Sequence, residues 1–453
     1  MPESTAVETP KCPLNKKNLL AQNPAFRTSD DAAAYLHRLE FESNTEVRWY
    51  ILKNEQGQYV CKEFAKPLTE TWPPSTIFKS PPGHSIEASF HRNVPLSPNT
   101  FNTLEEESTR NEFFRIYDVW LVTHSERQCS KCYVSSDGGL LSYTSTSSAY
   151  EEELTPIISN GANGLPQLFR AKYEKGWLPA SIWILLAIAA GEVATVVKGD
   201  KWVHRGELTP DWNWDDEIDP EQEADKPLVE LMPVCGPILK DVTGVANYLR
   251  MQQKSCSSSG QAVGIVLKHK NRDEYLVTAG EFTDYASFDR AVIFPKDVHG
   301  NPLLPDGFQV DGFYHSSNPL PLDRLPPQDV DLYKNFFSPA DLKVGLQRLN
   351  AAPHQQLYLI TPDGAVLSFS FPNVLIRRLI AEMSEDFEED LIEGVTTPRM
   401  FVDKVVYAGE LDVLLPSKAW PTVGQVFPSA PREAKCRHSA GKILRHCADD
   451  GSR

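Results

Sequence analysis

The sequence predicts an α+β protein made of two homologous domains, each with a mixed or antiparallel sheet and flanking helices. Similar segments recur in the same order in the two halves of the chain. Each half combines helical patterns with short apolar strand patterns that are joined by turn sequences, which is typical of α+β domains. Proline accounts for 35 of the 453 residues, and this content favours turns over long helices.

The recurrence is an internal duplication with a repeat length of about 215 residues, too long for a solenoid unit and typical of tandem domains. The clearest match joins the tripeptide AGE at 190–192, followed by Trp202, to the same tripeptide at 408–410, followed by Trp420, without a gap. We expect both tryptophans to pack in domain cores. The predicted domain organisation is a flexible N-terminus at 1–24, a first repeat at 25–208, an acidic linker at 209–227, a second repeat at 228–427 and a basic flexible tail at 428–453.

The linker and the tail are identified by their charge. The linker holds eight acidic residues and no apolar periodicity, as expected of a solvated connection. The tail holds six Lys or Arg against three Asp or Glu.

Both repeats show the same order of elements. The first is predicted to contain a helix at 30–39, two strands within 46–60 around a turn at 54–57, a strand that ends at His91, a hairpin of 133–136 and 140–143, and a last strand at 193–197. The second is predicted to begin with a helix at 242–252, two strands within 261–277 around a turn at 270–273, and a strand that ends at His315. It is predicted to continue with a helix that begins near Asp341 and a hairpin of 357–361 and 366–370. A helix at 386–393 and a last strand at 411–415 complete it.

Charge and hydropathy limit the functions that the chain can have. The net charge of −16 argues against nucleic-acid binding and against binding to anionic membranes, since both require basic surfaces. The most apolar run, residues 182–190, is too short to span a bilayer, and residues 1–24 contain no apolar signal sequence. We therefore expect no membrane span, and a location in the cytoplasm or export without an N-terminal signal.

The eight cysteines are expected to be free thiols, because the chain is long and shows no secretion signal. Two clusters contain residue types that bind zinc. Cys129 and Cys132 form a CxxC motif, and the tail contains Cys436, His438, His446 and Cys447. A zinc site built from both clusters is one hypothesis, and ordinary thiols beside a flexible tail are the favoured one.

One segment of the second repeat carries a candidate catalytic motif. A strand-like run ends at His315 and, after an insertion, the sequence FFSPAD places Ser338 three residues before Asp341. This order resembles the JAB/JAMM metallopeptidase-like domains of bacterial polymorphic toxins, whose pattern is His-x-His-Pro followed by Ser-x-x-Asp, with an upstream Glu. The resemblance implies that the two histidines and the Asp hold Zn²⁺, that the Glu acts as general base and that the Ser steadies the oxyanion. Three protein ligands would leave one position of the ion open for water.

The resemblance maps these roles onto both repeats. The metal-ligand positions are His91 and Asp118 in the first repeat and His315 and Asp341 in the second. The catalytic positions that retain a suitable residue are Glu46 for the base and Ser338 for the oxyanion.

Each repeat departs from the family pattern. The second histidine is replaced by Asn93 in the first repeat and by Ser317 in the second, the second repeat has Gln261 at the Glu position, and the first has Arg115 at the Ser position. Two ligands hold zinc far more weakly than three. His91 and His315 are therefore expected to be structural histidines at strand ends, with Asp118 and Asp341 at helix starts.

These departures favour a function without catalysis. The leading hypothesis is a catalytically degenerate tandem JAB/JAMM-like protein that binds or scaffolds a protein partner, and the resemblance associates it with toxins or secretion. The alternative is a Zn-dependent peptidase or isopeptidase with one working site in the first repeat, where Glu46 is retained. We expect no cofactor under the first hypothesis and zinc under the second. The sequence leaves the oligomeric state open.

Overall fold

The computed structural model describes a large part of the chain. The described residues are 24–39, 47–63, 78–94, 103–125, 127–137, 139–159, 165–199, 201–210, 232–254, 261–279, 281–283, 294–295, 299, 301–316, 330–349, 356–370 and 386–428. They separate into two compact units, one up to Ser316 and one after it. The predicted domain bounds remain predictions.

The first sheet is mixed and follows the element order predicted for the first repeat. Its strands are β1 (Ala25–Phe26), β2 (Val47–Asn54), β3 (Tyr59–Glu63), β4 (His84–Arg92), β5 (Lys131–Ser136), β6 (Gly139–Thr144), β7 (Glu192–Val197) and β8 (Gly206–Glu207). Their order in the sheet is β1-β3-β2-β4-β5-β6-β7-β8. The central pair, β4 and β5, is parallel, and every other neighbouring pair is antiparallel.

Within the described ranges, six helices accompany this sheet. They are α1 (Ser29–Arg38), α2 (Leu104–Asn111), α3 (Ile116–Thr123), α4 (Ala149–Ile158), α5 (Leu165–Glu174) and α6 (Ala180–Ala190). The hydroxyls of Thr28, Thr103 and Ser148 accept backbone N–H groups at the starts of α1, α2 and α4, as N-cap residues commonly do. Helices α3 to α6 contribute to one apolar core with strands β5 to β7.

The second repeat begins within the same unit. Its elements there are α7 (Val242–Lys254), β9 (Gln261–His269), β10 (Tyr275–Val277), β11 (Glu281–Thr283) and β12 (Phe308–Ser316). Strands β10, β11 and β12 all pair antiparallel with β9.

The second unit contains the rest of that repeat. Its elements are α8 (Val330–Lys334), α9 (Pro339–Leu349), β13 (Gln356–Ile360), β14 (Val366–Ser370), α10 (Asp386–Ile392), α11 (Pro398–Ala408), β15 (Glu410–Leu415) and β16 (Gly424–Gln425). Strands β13 to β16 form consecutive antiparallel pairs.

The aromatic core of the first repeat is organised around a buried Phe-Phe pair and a tryptophan. The rings of Phe113 and Phe114 meet edge to face at 84°, and the Trp202 ring lies 5.7 Å from that of Phe113. The indole Nε1–H of Trp202 donates to the carbonyl of Glu112 at 3.0 Å.

The second repeat reproduces this arrangement within its own unit. Phe336 and Phe337 meet edge to face at 87°, the Trp420 ring lies 5.7 Å from that of Phe336, and its Nε1–H donates to the carbonyl of Asn335 at 2.6 Å. Both tryptophans are buried, as predicted.

The fold class is confirmed as α+β, consistent with two domains. The first repeat forms one sheet of eight strands, and the strands of the second repeat pair within each unit, β9 to β12 in the first and β13 to β16 in the second. Both predicted hairpins form, as β5–β6 and β13–β14. The helices that were not predicted are α2, α4, α5, α6, α8 and α11. No helix in the described ranges is both long and apolar enough to cross a membrane.

Candidate functional site

Strand β4 carries His91 into the interior of the first unit. The strand lies between β2 and β5, where His91 is in register with Arg48 on one side and Val134 on the other. Because both neighbouring strands pair with this end of β4, its backbone is held on two sides. The His91 side chain is 5% exposed.

Helix α3 supplies Asp118 from the opposite direction. Asp118 is the third residue of the helix, and its Oδ2 accepts the backbone N–H of Arg115, the N-cap residue, at 3.0 Å. A carboxylate in the first helical turn is favoured by the free N–H groups and by the helix dipole. Asp118 is therefore a first-turn acid that closes the helix start, as one of the sequence hypotheses predicted.

The structure brings these two predicted residues into contact. His91 Nδ1 lies 3.2 Å from Asp118 Oδ1, and the side chain of Asp118 is 4% exposed. Arg48 Nη2 lies 3.9 Å from the same oxygen. A buried carboxylate is stable in its ionised form when cations and donors surround it, and this one has both.

The pKa of Asp118 reflects this environment. Burial alone would raise the pKa of the carboxyl group. Electrostatic interaction and hydrogen bonding with His91, together with the charges of Arg48 and Arg115, outweigh burial and hold the pKa of Asp118 well below its usual range.

A small cavity of about 20 Å³ lies beside the pair, between β2, β4, β5 and α3. Its volume suits about one water molecule. Cys132 lines it, and the Sγ of Cys132 lies 3.6 Å from the backbone carbonyl of Asp118. Burial raises the pKa of the Cys132 thiol well above its ordinary value, so this sulfur is a poor thiolate ligand or nucleophile.

Asn93 occupies the position where the family pattern has its second histidine, and it has a structural contact there. Its Nδ2 donates to the carbonyls of Asn111 and Phe113, both at 2.9 Å, and the side chain is buried. These bonds fasten the end of β4 to the segment between α2 and α3. This role was not predicted from the sequence.

Arg48 is a second functional side chain that was not predicted from the sequence. A signal for it exists, because alternation along the predicted strand puts residues 46 and 48 on one face. Glu46 itself, the predicted base, lies outside the described residues.

The donor set fits a catalytic zinc centre poorly. Such a centre needs three protein ligands and an open position. Here His91 and Asp118 contact each other, and Arg48 places a positive charge beside the carboxylate. Within the described ranges, no three His, Cys, Asp or Glu side chains are grouped so that they could hold a metal ion.

The predicted site residues of the second repeat are either buried or cap a helix. His315 lies at the end of β12 and Asp341 in the first turn of α9, and both are buried. The Ser338 Oγ accepts the backbone N–H of Asp341 at 3.0 Å, which makes Ser338 the cap of α9. His315 belongs to the first unit and Asp341 to the second.

Of the two cysteine clusters, only the CxxC motif lies within the described residues. Cys129 and Cys132 are free thiols, and burial raises the pKa of Cys129 to about 11. The four candidate ligands of the tail lie outside the described residues.

Comparisons of the chain with models of known protein families, with curated proteins and with solved structures found no match. The resemblance to JAB/JAMM-like domains therefore rests on the residues of the motif alone.

Proposed function

We propose that this chain is a catalytically degenerate tandem JAB/JAMM-like protein that binds or scaffolds a protein partner in a toxin-associated or secretion-associated setting. The observation that carries the proposal is the use of the Asp118 carboxylate. One oxygen faces His91 and Arg48, and the other accepts the N–H of Arg115. A carboxylate in these contacts ties β4 to the start of α3 and is neutralised without a metal ion.

The second-histidine position supports the same reading. Asn93 donates to two backbone carbonyls, so it contributes to holding the strand end in place. A metal ion at this place would have to displace the cation Arg48 from the carboxylate and would find two side-chain ligands where a hydrolytic zinc centre has three. The site therefore serves the fold, and partner binding falls to other surfaces.

The alternative function is a Zn-dependent peptidase or isopeptidase in the first repeat. One observation favours it, namely that His91 and Asp118 lie 3.2 Å apart beside a cavity that suits a single water molecule. Under this alternative, Glu46 would be the general base.

Elemental analysis of the purified full-length protein separates the two functions. We expect zinc well below one ion per chain in the wild type, in His91→Gln and in Glu46→Gln. About one zinc per chain in the wild type, lost in His91→Gln, would contradict the proposal. If Glu46→Gln then kept the zinc and lost peptidase activity, the alternative would replace it.

A further inference from the structure

Helix α6 is apolar on all sides, although one of its sides faces solvent. Its eleven residues include no charged side chain. Trp183, Ile184 and Ala187 are buried in the core of the first unit. Ile182 and Leu185, in contrast, are 44% and 40% exposed. A helix that is apolar all round is normally buried all round.

The exposed apolar residues of α6 lie on one face of the helix. Ile182, Leu185 and Leu186 follow the i, i+3, i+4 spacing that places side chains on one helix face, and Leu186 is 36% exposed. Trp177, three residues before the helix, is 59% exposed. We call Trp177, Ile182, Leu185 and Leu186 the α6 outer face.

The second repeat provides an internal comparison. Helix α11 is the counterpart of α6, because both end at the AGE match. Its positions equivalent to Trp183, Ile184 and Ala187 are Phe401, Val402 and Val405, and they are buried as well.

The outward positions of the two helices differ. Where α6 has Leu185 and Leu186, α11 has Asp403 and Lys404, and Asp403 forms an ion pair with Arg399 at 3.7 Å. The repeat architecture therefore tolerates charged residues at these two half-buried positions. The positions of Trp177 and Ile182 are apolar and exposed in the second repeat too, as Val395 and Met400, so only Leu185 and Leu186 distinguish the two helices. An exposed leucine pair that the other repeat does without indicates a surface that something covers.

Charges at the two ends of the α6 outer face indicate what covers it. Lys172 and Lys175 are exposed before the helix, and the Lys175 ammonium lies 5.0 Å from the Trp177 ring. Glu192 is exposed just after the helix. The face thus has no charge in its middle, exposed lysines before its start and an exposed acid after its end, while the partly exposed Glu106 carboxylate accepts the N–H of Ala180 at the helix start.

We propose that the α6 outer face binds the same face of a second copy of this chain, with the two α6 helices antiparallel across a two-fold axis. This arrangement places the lysines of one copy opposite Glu192 of the other, twice by symmetry. The antiparallel helix dipoles also attract each other. The neutral middle of the face lets two chains of net charge −16 meet without like charges in contact.

The first test is the mass of the full-length protein in solution, measured by analytical ultracentrifugation at micromolar concentration. We expect twice the chain mass of 50.8 kDa for the wild type. We expect the single-chain mass for Leu185→Asp/Leu186→Lys, which carries the residues of the second repeat at these positions. Tyr407→Asp, at an exposed position of α11, is the matched control and should stay dimeric. Circular dichroism should show unchanged folding in all three proteins.

The second test probes the antiparallel arrangement. Lys175→Glu should weaken the dimer about three- to tenfold, and Lys175→Glu/Glu192→Lys should restore it, because the reversed charges still pair across the axis. A double variant as weak as the single one would overturn the arrangement. A monomeric wild-type protein, or a dimer that survives Leu185→Asp/Leu186→Lys, would overturn the proposal and leave the face to a different partner. None of these outcomes depends on the metal content of the His91 site.

Discussion

The carboxylate of Asp31 accepts a hydrogen bond from the backbone N–H of Cys235, 204 residues later in the chain, at 2.6 Å. Asp31 lies in the first turn of α1, and Cys235 precedes α7 in the second repeat. A second bond, from the N–H of Ile238 to the carbonyl of Ala25 at 2.8 Å, joins the same two segments. The start of the second repeat is thus anchored to the first within one compact unit.

Asp31 should make stability depend on pH between about 4 and 6. Burial raises the pKa of Asp31 from 3.8 to about 6, although the Cys235 N–H, Thr28 and Arg27 lower it and Asp30 raises it further. The folded state then binds the proton more tightly than the unfolded state does, so this contribution stabilises the protein as pH falls through this window. Across the whole window, the free energy of unfolding should change by ~3 kcal/mol. Urea unfolding at several pH values should show a smaller pH dependence in Asp31→Asn, and an identical dependence would contradict the assignment.

His91→Ala should destabilise the protein strongly. The substitution leaves the buried Asp118 carboxylate with Arg48 at 3.9 Å and without its closer partner. Loss of one member of a buried pair typically costs ~3 kcal/mol or more. The free energy of unfolding can be measured by chemical denaturation. His84→Ala provides the control, since the His84 ring makes a solvent-exposed hydrogen bond to the carbonyl of Pro82. Equal effects of the two substitutions would contradict a structural role for His91.

Asp118→Asn should remove part of the acid sensitivity of the fold. Because the folded pKa of Asp118 lies below its ordinary value of 3.8, its stabilising contribution is complete above that pH and is lost as pH falls through the folded pKa. The asparagine keeps an oxygen that can accept the Arg115 N–H but carries no charge. The difference in unfolding free energy between wild type and variant should therefore shrink below about pH 4. A difference that stays constant with pH would contradict the ion pair.

Trp202→Phe and Trp420→Phe should have similar effects. Each substitution removes a buried indole hydrogen bond, to Glu112 in one repeat and to Asn335 in the other. A buried carbonyl without its partner costs ~1–3 kcal/mol. Thermal unfolding of the two single variants tests the equivalence of the repeats. A large cost at one tryptophan and none at the other would show that the two cores differ.

The sequence predicted the local elements well because their signals are local. The Asp-Gly dipeptides predicted both hairpins, and alternation of apolar residues predicted their strands, which pair as expected. Helix α6 was missed because its residues are apolar on every side and so show no helical periodicity.

The candidate site was predicted in part, from the motif. Its order of residues indicated His91 and Asp118, which do meet, but it gave no sign that Asn93 bonds two backbone carbonyls. The contact of Asp31 with Cys235 lies beyond any local pattern, because it depends on how distant segments pack.

Thermal unfolding of the full-length protein with added zinc and with a chelator tests the central claim most directly. A metal that binds only the folded state raises its stability by about 2.7 kcal/mol at a hundred times the dissociation constant. If the His91–Asp118 pair is a structural ion pair, the midpoint of unfolding will be the same in zinc, in chelator and in buffer. A midpoint that rises with zinc in the wild type, and not in His91→Ala, would show that the pair is a metal site.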